Sequence, residues 1–60
     1  MKFIKVTCIS GREQILNADA ILNINIDDSD KTITNIFIRD REISCFEVKE
    51  TPDEILEMLK

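Results

Sequence analysis

Few side chains in this 60-residue sequence could do chemistry: two cysteines, a cluster of aspartates and some basic residues near turns, with no histidine, tyrosine or tryptophan. Neither Cys8 nor Cys45 has a histidine to take its proton, so a thiolate nucleophile is not expected. Both lie in strand-like segments, and in a reducing compartment they read as reduced core thiols. A zinc site would need carboxylates or a second chain. Asp27, Asp28 and Asp30 place hard oxygen ligands on one tight loop, which invites a calcium reading. An EF-hand loop starting at Asp28 needs glycine at its sixth position and glutamate at its twelfth, where Ile33 and Arg39 stand. The cluster therefore reads as a solvated hairpin tip. Glu50, Asp53, Glu54 and Glu57 read as charge complementing a helix N-terminus, together with a wet outer face. A chain this short leaves little room for a pocket of the usual ~300 Å³ or more, so no enzyme, cofactor or metal site is expected.

Lys31, Arg39 and Arg41 form a possible weak basic patch, with Lys31 on the loop opposite the two arginines. Asp40 and Glu42 largely cancel it. With a net charge of −4 and eight basic residues scattered along the chain, a general phosphate-binding surface is not expected. The composition, 43% hydrophobic and 33% charged, is that of a folded globular protein. No apolar run approaches the ~20 residues of a membrane span, and Met1-Lys2-Phe3-Ile4-Lys5 lacks the apolar segment of a signal peptide. The sequence thus predicts one cytoplasmic domain over residues 1–60.

The elements that position these groups are mostly strands, because eleven isoleucines, branched at Cβ, favour the extended backbone. Phe3 to Ile9 alternates Ile4, Val6 and Cys8 with Phe3, Lys5, Thr7 and Ile9, which predicts a central strand with apolar groups on both faces. Ser10-Gly11 supplies a turn, Arg12 to Asn17 the returning arm, and Asn17 to Ala20 a corner. Leu22, Ile24 and Ile26 alternate with Asn23, Asn25 and Asp27, predicting a strand with one wet face. After a turn at Asp27 to Lys31, Thr32 to Ile38 is the next strand, and Arg39-Asp40-Arg41 leads into Glu42 to Val48. The broken alternation of that last strand predicts a bulge or an edge position. Thr51 as N-cap, Pro52 at the first helical position and Glu54 completing a capping box then start a short helix, with Ile55, Leu56 and Leu59 as its apolar stripe. The fold class is mainly β: a small antiparallel sheet or partly open barrel of about five strands, followed by one C-terminal helix.

The strand ending in Ser10-Gly11, the Ile15-Leu16-Asn17-Ala18 segment, the Ile24-Asn25-Ile26-Asp27 strand and the closing Val48-Lys49-Glu50-Thr51-Pro52-Asp53-Glu54-Ile55 together resemble FlbD-type flagellar and swarming motility proteins. Small proteins of this shape also occur among phage and mobile-element genes. The resemblance spans nearly the whole chain and implies a compact β-rich domain with no catalytic residues. Where that family has an Asn-Gly-like turn before its last strand, this chain has Arg39-Asp40-Arg41. In architecture alone, the order of elements is also similar to the carbon storage regulator type of dimeric RNA-binding protein, without a matching motif.

A 60-residue domain buries only about 60% of the surface its unfolded chain exposes, so a partner chain is the natural supplement to its core. A single sheet covered by one short helix leaves a face open. The expected function is therefore a non-catalytic protein-interaction or regulatory module, a homo-oligomer with a dimer favoured, associating through sheet edges or an interface at Phe3, Ile9, Ile33 and Phe37. The alternative is a small dimeric RNA-binding regulator.

Overall fold

The computed structural model describes residues 2–60. Its elements are β1 (Phe3–Thr7), β2 (Glu13–Asn17), a 3-10 turn (Ala18–Ala20), β3 (Ile21–Ile26), β4 (Thr34–Arg39), β5 (Ile43–Val48) and α1 (Pro52–Leu59). The predicted class holds, but the strands form two small antiparallel sheets that do not close into a barrel. One is β1–β2 and the other β3–β4–β5.

The sheets meet at a corner. Cys8 bridges Val48, the Ile9 amide donates to the Glu47 carbonyl at 3.1 Å, and the Lys49 amide donates to the Thr7 carbonyl at 2.8 Å. Strand β1 therefore has β2 along its whole length on one edge, and β5 only at its end on the other. The expectation of a central strand holds at this corner alone.

Antiparallel partners share a face. Ile4 lies opposite Leu16 on the first sheet, while Ile36 and Val48 lie on the inner face of the second. These residues, with Val6, Ile38 and Ile55, form one buried core. Each sheet thus covers the inner face of the other, which corrects the picture of a lone sheet with a helix on one side. The helix packs against β3 and contributes Ile55, which is fully buried, to the core between the sheets.

The local chemistry of the turns agrees with the sequence. Gly11 adopts φ +94°, a region that side chains bearing Cβ avoid. The Asn17 side chain accepts from the Asp19 amide at 2.9 Å and starts the 3-10 corner. At the helix start the Thr51 hydroxyl accepts from the Glu54 amide at 3.1 Å, and the Thr51 amide donates to Glu54 Oε1 at 2.8 Å. This reciprocal box satisfies amides that the helix itself cannot.

Two strand expectations need correction. The register between β3 and β4 shifts between Ile21 and Asn23, so Leu22, expected inside with Ile24 and Ile26, is 52% exposed. Ile21 takes the inner position opposite Ile38, and Ile26, at the outer end of the strand, is 47% exposed. In β5 the register is unbroken and the edge position explains the mixed pattern: Phe46 and Val48 face inward, Ile43 and Cys45 outward.

Ile55→Ala removes the one fully buried helix side chain, so a loss of about 2–5 kcal/mol in urea unfolding is expected. Gly11→Ala meets no atom within 4 Å, so its cost is backbone strain alone, about 1–2 kcal/mol by the same measurement.

Candidate functional site

The cysteines occupy different environments. Cys8 is half-buried against the core, whereas Cys45 is exposed on the outer face opposite Phe37, which corrects its reading as a core thiol. Both are free, and they lie on opposite faces of the strands they join. Partial burial, followed by the carboxylates of Glu47 and Asp27, pushes the Cys45 thiol up. A raised thiol stays protonated and is a poor nucleophile.

Two of the three aspartates, Asp27 and Asp30, are occupied by hydrogen bonds, and Asp28 is exposed at the tip. Asp27 Oδ2 accepts from the Ser29 hydroxyl at 2.6 Å and from the Ser29 and Asp30 amides, both at 3.0 Å. Its Oδ1 accepts from the Asn35 side-chain amide at 3.1 Å. Asp30 Oδ1 likewise accepts from the Thr32 hydroxyl at 2.7 Å and the Thr32 amide at 2.9 Å. No cluster of three or more metal-ligating side chains is present among the described residues. The bonds from Ser29 and Asn35, more than the backbone donors, lower Asp27 from 3.8 to about 2.

The basic residues are not gathered. Lys31 lies in the hairpin loop before β4, whereas Arg39 ends β4 and Arg41 lies in the loop beyond it, so the strand separates them by roughly 17 Å at ~3.4 Å per residue. The predicted patch of Lys31, Arg39 and Arg41 therefore reduces to two exposed arginines beside Asp40 and Glu42.

Nor do Phe3, Ile9, Ile33 and Phe37 make one surface. Phe3 lies on the outer face of the first sheet, opposite Asn17, and Phe37 on the outer face of the second, between Asn23 and Cys45. Because the inner faces meet in one core, these outer faces point away from each other. Phe3 is 56% exposed and Ile9 is exposed at the corner, while Ile33 and Phe37 are half-buried.

The structure instead draws attention to β2. Ile15, on the outer face diagonal to Phe3, is 68% exposed. Its partner Lys5 is engaged by Glu13, with Nζ 3.5 Å from Oε2. The Cys8 amide donates to the Arg12 carbonyl, and the Ala18 amide to the Lys2 carbonyl. Hydrogen-bonded pairs alternate along an antiparallel ladder. The even residues of β2 therefore bond to β1, and Glu13 and Ile15 present their backbone N–H and C=O groups to the free edge, with Asn17 adding its N–H while its carbonyl serves the 3-10 turn.

Along this edge runs a groove of about 410 Å³. Leu16, Ile38, Ala20 and Phe46 form its apolar floor, and exposed Arg39, Asp40 and Ser44 stand at its mouth. The expectation that so short a chain has no room for a space of this size is thus corrected. The groove lies where the two sheets splay apart. The sequence did not single out Ile15, although one signal was available: adjacent Ile15 and Leu16 must face opposite sides of a strand, so one of them points outward.

No family model matches the sequence, and no curated protein or solved structure is similar to it. No helix among the described residues is long and apolar enough to cross a membrane.

The lowered Asp27 sets a sign for acid stability. Its ionised form is favoured in the folded state, so its contribution is present above pH 3.8 and is lost as pH falls towards 2. Asp27→Asn should flatten the fall of the thermal unfolding midpoint between pH 4 and pH 2; an unchanged slope would assign that fall to other carboxylates.

Proposed function

We propose that this protein is a small, non-catalytic interaction or regulatory module that self-associates through its sheets. One observation carries this reading: Phe3, Ile9, Ile15, Leu22, Ile26, Ile43 and Leu56 remain exposed in a chain of only 60 residues. Single exposed apolar residues are ordinary on a protein surface, but Phe3 and Ile15 adjoin beside an unpaired strand edge. Paired edges and covered apolar side chains are what a second chain would supply.

The surroundings of the thiols support a non-catalytic role. Partial burial and nearby carboxylates push the Cys45 thiol up, and the sequence has no histidine to activate either cysteine.

Multi-angle light scattering over a concentration series to high micromolar should give a mass above 6.9 kDa, approaching twice that value. A folded monomer throughout the series would overturn self-association.

A further inference from the structure

We infer that the partner of β2 is β2 of a second copy of this chain, laid antiparallel across a twofold axis at Ile15. The inference rests on the self-association proposed above and assigns it to one edge. Of the other edges, that of β1 is taken up by β5 from Thr7 to Ile9 and carries Lys5 on the part left open. Strand β3 carries the register shift near Ile21 and has the helix packed against it, while β5 is held at its end by Thr7 and Ile9. A bulge, a covering helix and partial pairing are all ways of blunting an edge. Among the described residues β2 shows none of them, and it contains no proline or glycine.

The pattern of β2 is complementary to itself in this register. Ile15 therefore exchanges both bonds with its copy, and the Glu13 carbonyl accepts from the Asn17 amide of the second copy, while the Asn17 carbonyl stays with its own 3-10 turn. On the outer face the Glu13 carboxylate then meets a neutral Asn17 side chain, which can donate to it, and the two Ile15 side chains meet each other. No like charges are directly opposed, a condition that cross-strand pairs require. Lys5 remains with its own Glu13. Phe3, diagonal to Ile15, extends the apolar stripe on each side of the axis. The groove leaves open space on the inner side of the edge, where Gln14 and Leu16 line it.

Sedimentation velocity of single variants tests the assignment. Ile15→Lys sets two ammonium groups face to face on the axis, and Ile15→Glu two carboxylates; each should raise the dissociation constant at least tenfold at low salt. A mixture of the two variants should restore the dimer, because opposite charges then meet. That recovery distinguishes the edge contact from damage to the fold, which circular dichroism checks independently. Ile43→Lys and Leu56→Lys should leave association unchanged. Wild-type dimers that survive both Ile15 variants, or a mixture that fails to recover, would overturn the β2 assignment while leaving self-association intact. A wild-type monomer at high micromolar concentration would overturn both.

Discussion

The structure depends on the corner at which β1 leaves its hairpin and joins β5. Three backbone contacts at Thr7, Cys8 and Ile9 hold the β1–β2 sheet against the end of the β3–β4–β5 sheet. The Thr7 amide adds a bond to Glu50 Oε1 at 2.8 Å, which fixes the chain just before the helix begins. Val6 and Val48 lie beside this junction with no exposed surface, so the polar contacts and the tightest packing coincide. Without it neither sheet would have a surface on which to bury its inner face, since an isolated two-stranded hairpin is only marginally stable in water.

The corner also decides what remains outside. Folding the inner faces onto one another uses Ile4, Val6, Leu16, Ile36, Ile38 and Val48 for the core, and the helix adds Ile55. Both outer faces are then left to solvent and differ in character. That of the second sheet carries an asparagine pair, Asn25 and Asn35, with Glu47 beside them, Phe37 half-covered by its neighbours, and Ile43 and Cys45 exposed. That of the first sheet carries Phe3 and Ile15, with little beside them to cover their apolar surface.

Local signals in the sequence read well, because each has its cause within a few residues. The capping box at Thr51 and Glu54, the positive φ of Gly11 and the corner after Asn17 all follow from short-range hydrogen bonds and backbone sterics. What needed the tertiary structure was the relation between distant segments. Nothing in Leu22-Asn23-Ile24 reveals that the register slips beside Ile21, since the slip exists only in the pairing with β4 across the sheet. Phe3 and Phe37 share an apolar, alternating context in sequence, yet only the folding of one sheet over the other sends them to opposite sides. The separation of Lys31 from Arg39 and Arg41 was closer to being legible, because the length of β4 alone keeps them apart.

The corner has a kinetic side as well. Each hairpin closes a short loop, but the contact between Thr7 and Glu50 closes a separation of 43 residues, and the entropic cost of closure rises with loop length. Hairpins form in microseconds, whereas non-local pairings set the pace of small β-rich domains. The joining of β1 to β5 is therefore the pairing that weighs most on the folding rate of this chain. The same contacts cover only the end of β1, from Thr7 to Ile9, so the slow step that joins the sheets closes one corner and leaves the rest of that strand's edge as it was in the hairpin.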